Sequence, residues 1–182
     1  MSADGTKLPI PINERDHVRG REDSHVTVVK YGDFECTDCR NTHQVLKKSP
    51  ELFSKGLRFV YRHFPLFQIH PHALIAAEAT EAAAAQGKFW EMHDRIFANP
   101  NKLEQKHLHH YAREIGLDVE RFDEELNNHV YADQIKRDME KSLIYGVTGT
   151  PTFYINETRY DEGLNVQRML DYISSLLDKG KS

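Results

Sequence analysis

Residues 26–39, VTVVKYGDFECTDC, determine how this chain folds and contain its only two cysteines. The first six of them (VTVVKY) form a short run rich in β-branched side chains, which is typical of a strand buried on both faces. Gly32 and Asp33 then break the strand, and the apolar residues within 37–56 recur at helical spacing. The sequence therefore places Cys36 and Cys39 at the turn from a strand into a helix.

The predicted elements continue as a second strand and then a helical block. Pro50 is expected to kink the first helix, and residues 57–61 (LRFVY) alternate like a strand, which completes a βαβ unit over residues 26–61. Alanine-rich residues 73–87 predict a helix by propensity. Four more helical segments follow, one of them after a possible N-cap at Asp118.

The last part of the chain returns to strand-like patterns. Residues 152–155 (TFYI) and 158–160 predict a hairpin, and apolar residues at helical spacing in 166–177 predict a closing helix. In outline the order is βαβ, a helical block and ββα. We therefore predict a single α/β domain over residues 1–182, with a helical insertion at about 70–146.

The composition limits the functions that the chain can have. It has 182 residues and a formal net charge of −4, with acidic and basic residues mixed along its length. This mixture offers no basic patch for nucleic acid or for an anionic membrane surface, so we expect neither as a partner. We find no signal peptide and no segment with the ~18 apolar residues of a membrane span, and we expect a cytoplasmic protein.

The spacing of the two cysteines favours redox chemistry. Two residues at i and i+3 in the first turn of a helix have Cα atoms about 5 to 6 Å apart, within the span of a disulfide. Cys36 lies where unpaired N–H groups and the helix dipole favour an anion, so it is the expected nucleophile. Cys39, one turn further along, suits the resolving role, in which it attacks a mixed disulfide and releases the substrate.

Five motifs share their order and spacing with one known family. They are YGDFECTDC at 31–39, YRHFPL at 61–66, HPHAL at 70–74, GKFWEMHD at 87–94 and GVTGTPTFYIN at 146–156. On these motifs the chain resembles a DsbA-like member of the thioredoxin superfamily over roughly residues 16–177. The resemblance implies a thioredoxin fold (βαβ-ββα) with an α-helical insertion, and thiol-disulfide exchange with protein thiols and disulfides. We expect no organic cofactor and no metal, and the sequence does not identify the redox partner.

The resemblance also assigns a substrate-binding site. Thr150-Pro151 matches a Thr-Pro pair that in this superfamily has a cis peptide bond and faces the cysteine turn, although an X-Pro bond taken alone is cis only about 5 to 6% of the time. The main chain of Thr150 would bind an extended substrate as an added strand next to Cys36. We assign Phe34, which lies just before the turn, to the same substrate-binding set.

Two residues between the cysteines are expected to tune the redox potential. Members of this family often have proline after the first cysteine and an aromatic residue or histidine before the second, whereas this chain has Thr37 and Asp38. The charge of Asp38, with Glu35 nearby, opposes the Cys36 thiolate. We therefore predict a couple less oxidising than that of DsbA, nearer the reducing end of the range of about −120 to −270 mV.

Lys30 occupies a position where many relatives carry a buried acid that accepts a proton from the second cysteine. An ammonium group beneath the turn would lower the pKa of Cys39 and stabilise the attacking thiolate, so we include Lys30 among the catalytic candidates. Burying this charge requires a partner, and we expect the carboxylate of Asp38 or Glu78, or else solvent around the amine. The alternative is a lysine that extends to the surface and takes no part in the chemistry.

Three other interpretations remain open at this point. The cysteines would form half of a zinc site if histidines such as His70, His72, His107, His109 and His110 completed it. The fold would be a redox-inactive binding module or chaperone if the helical block held clients and the cysteines were idle. The chain would be a different enzyme if it used glutathione for a reduction or a transferase reaction. His63 and His93 are interpreted as hydrogen-bonded packing residues.

Overall fold

The computed structural model describes residues 6–163 and 165–179, which form a five-stranded sheet covered by helices. The strands are β1 (His17–Arg19), β2 (Val26–Gly32), β3 (Leu57–His63), β4 (Thr152–Ile155) and β5 (Thr158–Arg159). Their order is β1-β3-β2-β4-β5; β2 and β3 are parallel, and the other neighbours are antiparallel. The predicted α/β class is confirmed.

β2 is the central strand of this sheet. Val26, Val28 and Val29 are at most 1% exposed, because β3 and β4 flank the strand and apolar clusters cover both of its faces. β-Branched side chains suit a strand in such a position. The cysteine turn therefore follows the C-terminal end of the central strand, and Lys30 lies on that strand two residues before its last residue.

Two elements differ from the sequence prediction. No strand is predicted before residue 26, but β1 pairs antiparallel with β3 at the edge of the sheet; its three half-buried residues are too few to show a period. The prediction of a single kinked helix is also wrong, because the chain forms two helices, α1 (Thr37–Lys47) and α2 (Pro50–Ser54). Pro50 has no N–H to continue the α1 ladder and starts α2 instead.

Five helices form the insertion between β3 and β4. They are α3 (Ala73–Ala84), α4 (Phe89–Ala98), α5 (Gln105–Glu114), α6 (Val119–Asn127) and α7 (Ala132–Ile144), and α8 (Val166–Lys179) follows β5. Asp118 caps α6 as predicted, because its carboxylate accepts a hydrogen bond from the N–H of Arg121 at 3.1 Å. Within the described part of the chain, no helix combines the length and the apolar character needed to cross a bilayer.

Apolar side chains pack on both faces of the sheet. The larger cluster contains most of the buried residues of the helices, and the alanines of α3 allow its neighbours to approach closely. The smaller cluster packs residues of β2, β3 and β4 against Met139 of α7. Phe34 and Cys39 belong to the larger cluster, so the apolar core extends up to the cysteine turn.

Candidate active site

The two cysteines occupy different environments within one turn of α1. Cys36 is the N-cap residue of this helix and Cys39 lies in its first turn. The N–H of Cys39 donates a hydrogen bond to the Sγ of Cys36 at 3.4 Å. Both are free thiols, with Cys36 9% exposed and Cys39 0% exposed. The helix therefore presents one thiol at its N-terminal end and buries the other behind it.

The two thiols also differ in how readily they ionise. A hydrogen bond from the Cys39 thiol, supported by the N–H groups of Cys39 and Asp38, lowers the pKa of Cys36 to about 6 although burial opposes the shift. Burial raises the pKa of Cys39 well above its ordinary value, even though the charge of Lys30 attracts the thiolate. Cys36 is therefore the thiol that ionises first.

The loop before β4 faces the Cys36 thiol. The peptide bond between Thr150 and Pro151 is cis, and the Sγ of Cys36 donates to the carbonyl oxygen of Thr150 across 3.5 Å. The hydroxyl of Thr150 is buried and has no hydrogen-bond partner among the residues that the structure describes. The family resemblance assigns substrate binding to the main chain of Thr150, and this main chain lies beside Cys36, the expected nucleophile.

Lys30 lies directly beneath the cysteine turn. It is 1% exposed, its Nζ donates to the carbonyl oxygen of Cys39 at 2.8 Å, and the same atom lies 4.9 Å from the centre of the Phe97 ring. Burial lowers the pKa of Lys30, and attraction to Cys39 and Cys36 opposes this shift. The alternative in which this lysine extends to the surface is therefore wrong.

The partner expected for Lys30 is also wrong. Asp38 is exposed on α1, and Glu78 instead lies 3.2 Å from His129. Within the described ranges, no carboxylate forms an ion pair with Lys30, and solvent does not reach it. A backbone carbonyl and the face of Phe97 take the place of the carboxylate, because β2 directs this side chain into the apolar cluster.

Asp33 is a residue of this site that sequence reasoning missed. Its buried Oδ2 atom accepts a hydrogen bond from the N–H of Leu66 and lies near the Nδ1 of His70, both at 2.8 Å. Its N–H donates to the Sγ of Cys39 at 3.5 Å, and its carbonyl accepts from the N–H of Cys36 at 3.3 Å. The only signal in the sequence is an acid before the turn, and a strand breaker gives the same signal.

His70 is drawn into the site by this carboxylate. Burial alone would lower the pKa of His70, but the hydrogen bond to Asp33 and the attraction of Asp33, Glu35 and Cys36 raise it. When it is protonated, this imidazole adds positive charge near the Cys36 thiolate. His70 lies in the segment between β3 and α3, so the insertion contributes directly to the electrostatics of the cysteine turn.

The other predicted site residues lie on opposite sides of the turn. Phe34 is 1% exposed and packs against the rings of Tyr61 and Phe97, with centroids 5.4 and 4.8 Å away. Its assignment to substrate binding is wrong, because the helices of the insertion enclose the ring as part of the core. Thr37 and Asp38 are exposed at the start of α1, where they can contact a substrate at Cys36.

A groove opens beside Cys36 on the exposed side of the turn. It has a volume of about 340 Å³, and its walls include Thr37, Arg40, His72 and Asn101. The carboxylate of Glu35 also lines it and accepts a hydrogen bond from the N–H of His72 at 2.8 Å. Cys36 lies between this groove and the Thr150 loop, which does not line the groove. Polar walls suit a peptide main chain better than a large apolar ligand.

Two of the histidines offered as zinc ligands pair with carboxylates beside the turn. His70 lies 2.8 Å from Asp33, and His72 lies 3.2 Å from Glu35. Over residues 6–163 and 165–179, no group of metal-capable side chains includes a cysteine. Two groups without cysteine do occur there, namely His17 with His63 and Glu81, and His43 with His93 and Asp94.

Several solved structures share this fold. Oxidised BdbD from Bacillus subtilis has a TM-score of 0.75 at 22% identity, covering 97% of this chain and 95% of its own. The α-DsbA1 protein of Wolbachia pipientis has a TM-score of 0.77 at 20% identity, covering 93% and 94%. A thioredoxin-like oxidoreductase from Silicibacter pomeroyi has a TM-score of 0.71 at 23% identity, covering 93% and 94%. These similarities show the fold, which is the thioredoxin fold of DsbA-like proteins.

Curated relatives are more similar in sequence but much longer. The Na(+)/H(+) antiporter NhaA 1 of Salinispora arenicola is 40% identical over 169 residues, which are 92% of this chain and 26% of the antiporter. The NhaA antiporter of Herminiimonas arsenicoxydans is 42% identical over 146 residues, which are 80% of this chain and 23% of the antiporter. The chain thus spans about a quarter of the length of these relatives.

A family model described as Thioredoxin matches residues 12–175. This match includes every strand of the sheet, the cysteine turn and the Thr150-Pro151 loop. The chain therefore belongs to the thioredoxin family.

Proposed function

We propose that this chain is a thiol-disulfide oxidoreductase that exchanges disulfides with protein substrates through Cys36 and Cys39. One observation carries the proposal: two unlike thiols lie in one helical turn, where hydrogen bonding lowers the pKa of Cys36 to about 6 and Cys39 is 0% exposed behind it. At neutral pH Cys36 is mostly thiolate, which is the form that attacks a disulfide.

In the reducing direction the reaction has two exchange steps. The Cys36 thiolate attacks one sulfur of the substrate disulfide; a Cys36-substrate disulfide forms, and the other substrate sulfur leaves as a thiolate that takes up a proton. Cys39 then loses its proton and attacks the Cys36 sulfur. The Cys36-Cys39 disulfide forms, the second substrate sulfur leaves, and two electrons have passed to the substrate. Oxidation of a substrate dithiol is the same sequence reversed, and neither direction uses an organic cofactor.

The loop at Thr150 and the groove beside Cys36 would hold the substrate. An extended peptide at Cys36 can pair with the main chain of Thr150, whose carbonyl lies 3.5 Å from the Cys36 Sγ, and its neighbouring residues can extend into the groove on the other side of Cys36. Recognition through main chain gives broad tolerance of substrate side chains. Thr37 and Asp38 lie exposed on the same side, whereas Phe34 is buried and does not belong to the contact surface.

Lys30 would assist the second step from below. The raised pKa of Cys39 means that its thiol must be helped to ionise before it attacks. Lys30 provides that help by attraction to the thiolate, and the same attraction favours the charged amine that burial disfavours. The two buried groups therefore stabilise each other when both are charged, at the moment when Cys39 attacks.

The ionisation of Cys36 supports a moderately reducing couple. A pKa of about 6 for Cys36 falls between the values of roughly 7 in thioredoxin and 3.5 in DsbA. A less stabilised thiolate favours the reduced form less, which makes the couple less oxidising than that of DsbA. We propose a potential nearer the reducing end of the range of about −120 to −270 mV.

The antiporter names describe much longer proteins. The matched region is about a quarter of their length, and the same region of this chain matches the thioredoxin family. We propose that the shared region carries thiol chemistry and that ion transport belongs to the rest of those relatives. The partner that recycles Cys36 and Cys39 is not identified.

Reduction of insulin in the presence of dithiothreitol tests the proposed activity. The protein is expected to accelerate precipitation of the insulin B chain, and Cys36→Ser is expected to reduce the rate to that of dithiothreitol alone. Equal rates for the wild type and Cys36→Ser would favour a redox-inactive binding module or chaperone. Turnover that requires glutathione would favour a glutathione-linked enzyme.

A further inference from the structure

Three potential metal ligands meet at the edge of the sheet, and none of them belongs to the cysteine turn. They come from three elements: His17 from β1, His63 from the end of β3 and Glu81 from α3. The Oε1 of Glu81 lies 2.7 Å from the Nε2 of His17 and 2.9 Å from the Nε2 of His63. All three ligand atoms lie within 4.8 Å of one another. From the sequence alone, His63 is interpreted as a packing residue. The three ligands are distant along the chain, and only the fold brings them together.

The group lies at the wall of a cavity. The cavity has a volume of about 280 Å³ and is lined by His17, His63 and Glu81 together with residues of α7. The side chains of the three residues are 18%, 8% and 24% exposed, so they are sheltered but reachable. Neither cysteine lines this cavity, which makes the group distinct from the redox site.

The donor set matches one class of metal site. Two imidazole nitrogens and one carboxylate oxygen, with positions left open, are the ligands of zinc sites that also bind water or substrate. With bonds of about 2.0 to 2.2 Å, neighbouring ligand atoms of a tetrahedral zinc ion lie about 3.3 to 3.5 Å apart. The two distances to Glu81 therefore need to lengthen by about half an ångström to admit the ion. The two imidazole nitrogens lie within 4.8 Å of each other and need to reach the same separation.

The second histidine group of the protein lacks this access. His43 and His93 are 7% and 1% exposed, and the Nε2 of His43 lies 3.8 Å from Asp94. Neither histidine lines the cavity beside Glu81 or the groove beside Cys36. This group lacks the access to a cavity that the first group has, so it serves as an internal comparison.

We propose that His17, His63 and Glu81 bind one divalent transition-metal ion, with zinc the best match to the donors. The ion would connect the edge strand β1 to β3 and to the first helix of the insertion. Its remaining positions would face the cavity, where water or a small ligand can complete the coordination. This proposal does not depend on the redox activity, and it replaces the expectation of no metal.

Metal titration of a cysteine-free variant tests the site. The full chain without a polyhistidine tag carries Cys36→Ser and Cys39→Ser, because thiolates would themselves bind zinc. Calorimetry with Zn²⁺ is expected to show one equivalent bound, and Co²⁺ is expected to give visible d-d absorption. A protein that shows no saturable site for either ion would overturn the proposal.

Single substitutions in that variant locate the site. His17→Gln and Glu81→Gln are expected to weaken Zn²⁺ binding more than about 100-fold, since changes just outside a metal's ligand set already cost 10- to 100-fold. His43→Gln, in the comparison group, is expected to leave the affinity unchanged. Circular dichroism checks that each variant is folded, and His17, on the edge strand, is the substitution least disruptive to the core. Undiminished affinity in folded His17→Gln would show that the ion binds elsewhere.

Discussion

The exposed side of the cysteine turn and its buried underside handle the same chemical group in opposite ways. On the exposed side, helix N–H groups and a neighbouring thiol lower the pKa of Cys36 to about 6. On the underside, burial raises the pKa of Cys39 well above normal, although the charge of Lys30 and a hydrogen bond from the N–H of Asp33 oppose this. One helical turn therefore fixes the order of attack, since a thiol that ionises readily must act before one that ionises with help.

The largest effect is expected from substitutions that separate the two cysteines. Cys36→Ser should abolish exchange, whereas Cys39→Ser should still attack substrate and then stop at the mixed disulfide, because the resolving thiol is missing. Mass spectrometry after incubation with a disulfide-bonded substrate should show a covalent adduct with Cys39→Ser alone. An adduct formed by Cys36→Ser would mean that the two sides of the turn have been assigned the wrong way round.

Removal of the charge beneath the turn should affect the second step most, because Lys30 interacts more strongly with Cys39 than with Cys36. Lys30→Met is expected to slow resolution of a mixed disulfide at Cys36 several-fold near neutral pH and to move its pH dependence to higher pH, because Cys39 loses the attraction of the amine. Stopped-flow measurement of substrate release checks this rate. Lys48→Met, at an exposed position on α1's C-terminal end, is the control. An unchanged resolution rate would leave Lys30 as a packing residue.

The Asp33-His70 pair lies beside the cysteine turn, and its interaction should make the free energy of unfolding depend on pH. Since Asp33 raises the pKa of His70 in the folded state, the pair stabilises the fold below the unfolded pKa of about 6.5 and loses this effect as pH rises through the raised value. His70→Gln should therefore cost more free energy of unfolding at about pH 5.5 than at about pH 9.

Urea unfolding of the cysteine-free variant with and without His70→Gln measures this difference without a contribution from the thiols. His25→Gln, at an exposed position, is the control for the loss of an imidazole. A cost that does not change with pH would show that His70 acts through packing alone.

The smallest effect is expected from the exposed residue between the cysteines. Asp38→His should raise the redox potential and the thiolate fraction of Cys36 near neutral pH, because a cation replaces an anion near the thiolate. The effect should be modest, since Asp38 is exposed and solvent and salt screen its charge. Asp38→Asn separates loss of the negative charge from gain of a positive one. No change in either variant would restrict Asp38 to supporting the start of the helix.

Local patterns predicted most of the fold from the sequence. The β-branched run of β2, the alanines of α3 and the cap at Asp118 each carry their signal within a few residues. β1 carries no such signal, because three half-buried residues form a strand only when β3 is there to pair with them. The sequence shows that Pro50 interrupts a helix. Whether a proline kinks a helix or starts a new one depends on the packing around it.

The candidate site was predictable as far as chain neighbours define it. Short sequence motifs identify Cys36, Cys39 and Thr150-Pro151. The hydrogen bond between Asp33 and His70 joins residues 37 positions apart, so no local sequence pattern predicts it. Phe34 was misassigned because nearness to the cysteines in sequence does not show which way a ring points. The partner of Lys30 was misjudged because a backbone carbonyl and a ring can hold an amine where a carboxylate was expected.

The redox equilibrium of the two cysteines shows directly whether they act as one exchanging pair. The protein is equilibrated in glutathione buffers of stepped potential, quenched in acid, alkylated and weighed by mass spectrometry. We expect one two-electron transition in which Cys36 and Cys39 become protected from alkylation together, with a midpoint nearer −270 than −120 mV within that approximate range. Cysteines that remain alkylatable throughout, or that form only separate glutathione adducts, would contradict it.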